Sequence, residues 1–274
     1  MTALKMVGIT NPGRVRPENE DAIGVYPDIG LAVLADGMGG HQAGEVASSI
    51  AIDVISRHFV EIFQRELEYK RRNEPADAAL EVNAIYDAVQ LANSAIYEMA
   101  RARPECAGMG STVVVVLFYE DKFCVGHVGD SRLYRYRAGK LEQVTQDHSV
   151  IQELVSRGLL TLEEAKHTVG KNLVTRALGV DVNVSPDVTE QSRAESDMYL
   201  ICSDGLNDML SDQDIQGILA EHGTDIDGAA NKLVASANER GGVDNISVIL
   251  IYPGKTFQRT QKSVKKLQTL IKAT

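Results

Sequence analysis

The stretch GLAVLADGMGG, residues 30–40, joins an apolar run to a glycine-rich turn and stands directly before a long helical pattern. Residues 30–35 contain no polar side chain, which is typical of a strand that is buried on both faces. Asp36 and Gly37 end this run, and glycine permits the tight backbone that a turn requires. Residues 44–70 then repeat apolar side chains at helical spacing. The stretch therefore predicts a buried strand whose acidic end lies close to the start of a helix.

The rest of the chain extends this pattern into an α+β fold. Six further short apolar runs predict strands, over 22–26, 112–118, 122–128, 133–137, 198–202 and 245–252. Further helical patterns occupy 77–101, 211–221 and 225–240. Strands, a helical hairpin, more strands and more helices do not alternate regularly, so we expect helices packed on antiparallel sheets. No Pro/Ser-rich linker divides residues 1–254, which we expect to form one domain, followed by a tail over 255–274.

Composition and charge exclude several classes of function. The chain has 274 residues, of which 44% are hydrophobic, so it is long enough to bury a substantial core. Its 28 Lys and Arg residues and 38 Asp and Glu residues give a formal net charge of −10, which argues against nucleic-acid binding. Residues 255–274 hold six basic residues and no acidic one, so residues 1–254 alone carry −16.

Neither a membrane anchor nor a disulfide framework is expected. The longest apolar run, 113–119, is far shorter than the roughly 20 residues of a transmembrane helix, and the first residues lack the features of a secretory signal. We therefore expect no transmembrane segment and a cytoplasmic location. Three widely spaced cysteines without a Cys-x-x-Cys pair predict reduced, buried thiols: Cys106, Cys124 and Cys202.

Four aspartates lie at the ends of apolar runs and beside glycine or asparagine: Asp36, Asp130, Asp204 and Asp244. Each one alone is also typical of an ordinary turn. If the fold brings all four together, their mutual repulsion requires cations. Oxygen donors without a histidine or cysteine cluster favour Mg²⁺ or Mn²⁺ over zinc. A second charged cluster, residues 14–21, offers Arg16 as a phosphate ligand and Glu20 and Asp21 as groups that orient metal-bound water, although such an octet is also typical of a solvated loop.

In order along the chain, these motifs resemble the metal-dependent protein Ser/Thr phosphatases of the type 2C (PPM) family. The motifs are Arg16 with Glu20-Asp21, Asp36-Gly37-Met38-Gly39-Gly40-His41, Gly129-Asp130-Ser131-Arg132, Ser203-Asp204-Gly205-Leu206, and Asp244-Asn245. Met-Gly-Gly-His after Asp-Gly is similar to the bacterial branch of the family. The resemblance covers about residues 5–252 and implies a four-layer α-β-β-α sandwich of two antiparallel sheets, with a two-metal centre at one end.

The resemblance also implies roles for individual residues. Asp36 would bridge two Mn²⁺ or Mg²⁺ ions, the carbonyl of Gly37 would serve the first ion, and Asp204 and Asp244 would serve the second. Asp130 and Asp204 match the site of a third, weaker ion that is typical of bacterial members. Arg16 matches the phosphate-binding arginine, while Glu20, Asp21 and Asn245 would stand behind the metal ligands. The implied chemistry is in-line attack of a metal-bridging water or hydroxide on a phosphomonoester.

The resemblance leaves the identity of the general acid open, because Met38 stands where eukaryotic relatives often have a histidine. His41 is the nearest candidate, but it could instead cap or anchor the turn, and metal-bound water is an equal contender. No cysteine is followed by an arginine six residues later, which argues against a cysteine-nucleophile phosphatase.

Two further segments have open interpretations. Residues 146–178, which contain Asp147-His148-Ser149 and Asn172, resemble the flap of the family. This flap either gates protein substrates or is a surface insertion without contact to the substrate. Asn172 could offer an oxygen to the third ion. The basic tail 255–274 repeats apolar residues at helical spacing, namely Val264, Leu267, Leu270 and Ile271. The tail could be a docking helix for a membrane surface or acidic partner, the start of a linker, or a solvated end.

Three functions fit these observations. The first is a cytoplasmic phosphoprotein phosphatase in signal transduction that hydrolyses phosphoserine and phosphothreonine, opposes a bacterial Ser/Thr kinase and acts as a monomer. The second is a two-metal phosphoester hydrolase that acts on a small phosphorylated molecule. The third is a non-catalytic binding module, which would have a broken metal set, whereas Asp36, Asp204 and Asp244 are all present.

Overall fold

The computed structural model describes residues 4–40, 42–71, 79–161, 163–165, 173–254, 257 and 259–271. The strands in these ranges are β1 Lys5–Asn11, β2 Asp21–Tyr26, β3 Leu31–Met38, β4 Gly110–Ser111, β5 Val113–Tyr119, β6 Lys122–Val128, β7 Arg132–Arg137, β8 Lys140–Gln143, β9 Asp187–Ser192, β10 Met198–Cys202 and β11 Ile246–Tyr252. The longer helices are α1 Ala43–Arg71, α2 Leu80–Ala102, α3 Val150–Ser156, α4 Asp212–His222, α5 Ile226–Glu239 and α6 Gln261–Ile271. Short helical turns occupy Pro104–Cys106 and Asp204–Asn207.

The strands form two antiparallel sheets. The first sheet has the order β1-β11-β10-β7-β8, and the second has the order β2-β3-β5-β6-β9 with β4 paired to β3. The chain passes from the second sheet to the first in the short turn between β6 and β7. This arrangement confirms the predicted α+β class and its two antiparallel sheets.

Three apolar layers hold the sandwich together. One lies between the two sheets and contains Phe118, Phe123 and Tyr199, whose rings pack with centroids 4.8–5.8 Å apart. A second joins α1 and α2 to the outer face of the second sheet, and a third joins α4 and α5 to the outer face of the first sheet. Because both sheets are covered on their outer faces, their central strands are buried on both sides, which explains the unbroken apolar runs.

The predicted elements are present with small shifts at their ends, and four strands were missed. Helix α4 begins after Ser211, whose side chain accepts a hydrogen bond from the Asp214 amide while the Asp214 carboxylate accepts one from the Ser211 amide. The missed strands are the two-residue β4 and the longer strands β1, β8 and β9. Each of the three longer strands lies at a sheet edge and carries polar or half-exposed side chains, so its sequence lacks the apolar run that marks the central strands.

The helix that the spacing predicts in the basic tail is α6, and it packs on α1 of the same chain. Val264 is buried in the apolar layer between the hairpin and the second sheet. Just before α6, the Arg259 guanidinium lies 4.1 Å from the Phe63 ring and pairs with Glu66 of α1 at 3.4 Å and Glu81 of α2 at 2.7 Å. These residues beyond 254 therefore contact both helices of the hairpin, while binding of the tail to a membrane or an acidic partner stays a prediction. None of the described helices is long and apolar enough to cross a bilayer.

We expect Arg259→Met to lower the free energy of unfolding by about 2–4 kcal/mol, because it leaves two largely buried carboxylates without their shared cation. Arg57→Met is the matched control, since Arg57 forms an exposed pair with Asp53 on α1, and we expect a change of about 0.5 kcal/mol or less. Urea unfolding of both variants measures the difference. Equal stabilities of the two variants would contradict the role of Arg259 in joining the hairpin to the C-terminal helix.

Candidate metal centre

A cleft of about 230 Å³ opens at one end of the sandwich, where strand ends of both sheets meet. Its walls combine the predicted acidic residues with a few neutral ones. The lining residues are Arg16, Glu20, Asp36, Gly37, Met38, Gly39, Thr112, Asp130, Val174, Asp204, Asp244 and Asn245. The structure therefore brings together all five residues predicted as metal ligands and the predicted phosphate-binding arginine.

Each of the four aspartates lies at or beside the end of a strand. Asp36 lies near the end of β3, and Asp204 follows β10 at the start of a helical turn. Asp244 precedes β11, which pairs antiparallel with β10, so the end of one strand meets the start of the other. Asp130 lies in the turn that carries the chain from one sheet to the other. The cluster thus depends on both sheets and on their relative position.

The carboxylates lie close enough to oppose one another's ionisation. Burial raises the pKa of Asp36 well above its ordinary value, and nearby carboxylates, including Asp21 and Asp204, raise it further. Burial likewise raises the pKa of Asp204, and the carboxylates of Asp130 and Asp244 add to the effect. Carboxylates held together at this depth favour either protons or bound cations.

Asp21 and Asp130 show the same effect more weakly. Burial raises the pKa of each carboxylate to about 6, although hydrogen bonds to each carboxylate act in the opposite direction. Asp21 stands opposite Asp36 in the β2–β3 ladder, and its Oδ2 accepts a hydrogen bond from Ser203 at 2.8 Å. Its Oδ1 is buried without a hydrogen-bond partner. A buried oxygen that lacks a donor fits a role behind the cleft, facing water or a cation.

The donor set fits hard divalent cations. It consists of carboxylate and carbonyl oxygens, the ligands that Mg²⁺ and Mn²⁺ prefer. The backbone is also packed as a tight cradle: a Cβ on Gly37 would lie 2.0 Å from the Gly44 carbonyl oxygen, and one on Gly205 would lie 2.0 Å from that of Asn245. Only glycine fits at these two positions, which keeps the strand ends close together.

Arg16 reaches the rim of the cleft from the loop between β1 and β2. Its guanidinium Nη2 lies 2.6 Å from Asp244 Oδ2, a contact that raises the pKa of Arg16, and half of the side chain is exposed. Asn245 holds this loop in place. Its side-chain Nδ2 donates hydrogen bonds to the carbonyls of Pro12 and Glu18, and its Oδ1 accepts a hydrogen bond from the Glu20 backbone amide. Asn245, predicted to stand behind the metal ligands, acts in the structure as the tie between the Arg16 loop and β11.

Glu20 faces the N-terminus of α1. Its carboxylate accepts a hydrogen bond from the Gly44 amide, and its carbonyl accepts one from Gly37. Burial raises the pKa of Glu20. Glu20 therefore joins β3 to α1 directly beside Asp36. The two other candidates near this region, His41 and Asn172, lie outside the described residues.

Two residues that support the site were missed as functional residues. Thr112 exchanges hydrogen bonds with Asp36, since the Thr112 amide donates to the Asp36 carbonyl at 2.8 Å and the Asp36 amide donates to Thr112 Oγ1 at 3.1 Å. Ser203 Oγ bridges Asp21 and the Ser247 amide. The available signal was a hydroxyl residue at the end of each apolar run, but such residues also end strands without any functional role.

A different group has the tightest spacing of potential ligand atoms. Among the described residues, the group of three whose atoms lie within 4.8 Å of one another is His127, His148 and Asp187. The two imidazole rings stack with centroids 4.6 Å apart. His127 Nε2 bonds to the Gln146 carbonyl, and both His148 and Arg176 bond to Asp187. The group is therefore a hydrogen-bonded cluster beside the acidic cleft.

The three cysteines are buried and free, as predicted.

Comparisons with known proteins agree with this architecture. A model of the family "Protein phosphatase 2C" matches residues 15–246. The serine/threonine protein phosphatase PstP of Mycobacterium tuberculosis is 37% identical over 248 residues, which make up 90% of this chain and 44% of that protein. The serine/threonine phosphatase stp of Listeria welshimeri is 33% identical over 249 residues, 88% of this chain and 93% of that protein. The chain thus spans less than half the length of its mycobacterial relative.

Solved structures show the same fold. The crystal structure of M. tuberculosis PstP/Ppp superposes with a TM-score of 0.81 at 33% identity and covers 93% of this chain and 100% of that one. The catalytic domain of PstP in complex with two manganese ions gives a TM-score of 0.76 at 34% identity and covers 92% and 99%. The family match over most of the sequence and these relatives lead to one conclusion: the chain belongs to the protein phosphatase 2C family.

Proposed function

We propose that this chain is a Mn²⁺- or Mg²⁺-dependent phosphoprotein phosphatase that hydrolyses phosphoserine and phosphothreonine. The carrying observation is the acidic cleft at the shared end of the two sheets, with Arg16 at its rim, in a chain of this family. The relatives named above are serine/threonine phosphatases, and one structure contains two manganese ions. The physiological targets include a Ser/Thr kinase and its substrates, in the cytoplasm.

The lining of the cleft and the family match support an assignment of residues to the ions. Asp36 and the Gly37 carbonyl would hold the first ion, while Asp36, Asp204 and Asp244 would hold the second. Asp130 and Asp204 would hold a third, weaker ion. When bound, the ions offset the carboxylate charge, lower the pKa of coordinated water and screen the substrate phosphate.

The chain's own residues then bind and orient the phosphoester. The Arg16 guanidinium offers planar donors to two phosphate oxygens, and its loop is fixed to β11 by Asn245. Asp21 and Glu20 accept protons or hydrogen bonds from water at the back of the cleft, since burial raises the pKa of both. His41 remains one candidate for protonating the leaving alkoxide, beside metal-coordinated water.

The flap supplies one further wall. Val174 lines the cleft, and its segment pairs with Ser149 in an isolated antiparallel bridge. The flap is therefore attached beside the site, which supports a role in admitting protein substrates. The alternative, hydrolysis of a small phosphorylated molecule, is less favoured, because the named relatives are protein phosphatases.

We expect Asp36→Asn to reduce metal-dependent release of phosphate from a phosphothreonine peptide by at least about a hundredfold, because it removes the charge shared by two ions. The same change relieves repulsion in the metal-free protein, so its thermal stability should be unchanged or higher, whereas the stabilisation on adding Mn²⁺ should fall. Asp53→Asn on the exposed face of α1 is the matched control. Full activity of Asp36→Asn would refute the proposed centre.

We expect Arg16→Ala to raise KM for the phosphopeptide by roughly ten- to a hundredfold, because a charge-assisted hydrogen bond contributes about 1.5–3 kcal/mol. Arg16→Lys should recover only part of the loss, since an ammonium group lacks the planar pair of donors. Steady-state kinetics at saturating Mn²⁺ measures both variants, with Arg57→Ala as control. An unchanged KM in Arg16→Ala would show that another group binds the phosphate.

A further inference from the structure

The turn that carries Asp130 is held on both sides by one dipeptide, Asp147-His148. On one side, the His148 amide donates to the Gly129 carbonyl at 2.9 Å, and the Gly129 amide donates to His148 Nδ1 at 3.1 Å. On the other side, the Asp147 carboxylate accepts hydrogen bonds from Arg132 Nε and Nη2 at 2.7–3.1 Å. Asp130 lies between these two attachments.

The ring of His148 is fixed in one tautomer. Because Nδ1 accepts a hydrogen bond from the Gly129 amide, the neutral ring carries its own proton on Nε2, which donates to Asp187 Oδ2 at 3.2 Å. Arg176 holds Asp187 from the other side at 3.0 Å. Burial and the adjacent His127 lower the pKa of His148 to about 4, so the ring is neutral near pH 7.

Close packing leaves the turn little freedom. Gly129 has a φ of 102°, and a Cβ there would lie 2.6–2.7 Å from side-chain atoms of Thr112. The Thr112 hydroxyl also bonds to Ser131 at 2.8 Å, while its backbone bonds to Asp36. The turn is therefore wedged between Thr112 on the Asp36 side and His148 on the flap side.

The same dipeptide lies where the two ends of the flap pair. The Thr175 amide donates to the His148 carbonyl, and the Val150 amide donates to the Leu173 carbonyl. Val174, between these contacts, lines the cleft. A displacement of the flap base would therefore act on the atoms that hold Gly129.

We propose that Asp147 and His148 form a two-point clamp that positions the Asp130 carboxylate for the weakly held cation. Both are positioning residues, because they act through Gly129 and Arg132. The clamp rests on the proposed function only for the role of Asp130; its hydrogen bonds can be tested independently of activity. The essential atom is His148 Nδ1, which accepts from Gly129.

Two substitutions at position 148 distinguish the role of Nδ1 from the role of Nε2. His148→Asn places an acceptor near the position of Nδ1, whereas His148→Gln places a donor near Nε2 and lacks the acceptor for Gly129. We expect amide hydrogen exchange of Gly129 in the metal-free protein to be at least tenfold faster in His148→Gln than in His148→Asn. His222→Asn on α4 is the control, since its Nδ1 bonds only locally to the Ile218 carbonyl. Equal exchange in the two position-148 variants would overturn the clamp.

Mn²⁺ titration by calorimetry tests the consequence for the cation. We expect the weakest Mn²⁺ site to lose at least tenfold in affinity in His148→Gln and to change by less than about threefold in His148→Asn. Asp130→Ala should remove this site. Adding His148→Gln to Asp130→Ala should then leave the Mn²⁺ affinity of the remaining sites unchanged. A further loss in the double variant would overturn the proposal, because it would show that His148 acts elsewhere.

A second variant covers the case in which His148→Gln fails to fold. Asp147→Asn weakens the attachment on the Arg132 side, and we expect the same selective loss of the weakest site with the two tighter sites kept. Equal loss at all sites would contradict the clamp. If the wild type shows no metal-dependent phosphatase activity, the proposed function fails, whereas the exchange and titration results still decide the clamp.

Discussion

The repulsion between buried carboxylates at one end of the sandwich is the interaction on which the rest of the site depends. Asp36 and Asp204 come from different sheets, and the Asp204 carboxylate adds to the effect of burial in raising the pKa of Asp36. Asp130 and Asp244 act in the same way on Asp204. A fold gains nothing from such a cluster unless cations offset the charge. The stability of the three apolar layers must therefore hold these groups together, and the charge then selects hard divalent cations.

The N-terminal loop links this charge to Arg16, the residue that we propose binds the substrate phosphate. Asn245 makes three hydrogen bonds to the loop, while the Arg14 amide donates to the Gly242 carbonyl. A Cβ on Gly13 would lie 2.3 Å from the Asp244 carbonyl oxygen, so the loop and the start of β11 are in close contact. The carboxylate of Asp244, which we propose as a cation ligand, and the guanidinium of Arg16 thus share one rigid support.

The central strands, the long helices and the acidic motifs could be predicted because each has a local signal in the sequence. An apolar run followed by Asp-Gly marks both the strand and the residue at its end, as at Asp36. The edge strands β1, β8 and β9 could not be predicted this way; β9, for example, is mostly polar and exposed, with Val188 and Gln191 half-buried. The roles of Thr112 and His148 depend on contacts across 76 and 19 positions of the sequence, for which no spacing rule exists.

The five assigned ligands differ in how the fold supports them, and this difference suggests where affinity can vary. Asp36 is part of a strand paired on both sides, and Asp204 and Asp244 flank the adjacent pair β10–β11. Asp130 instead lies in a turn between sheets, where no ladder fixes its backbone. The residues on either side of it are held by the backbone and ring of His148 and by the Asp147 carboxylate, which belong to the base of the flap. Since a ligand displaced by about 0.5 Å no longer fits its cation well, the proposed clamp would couple the flap to the weakly held ion through these two attachments.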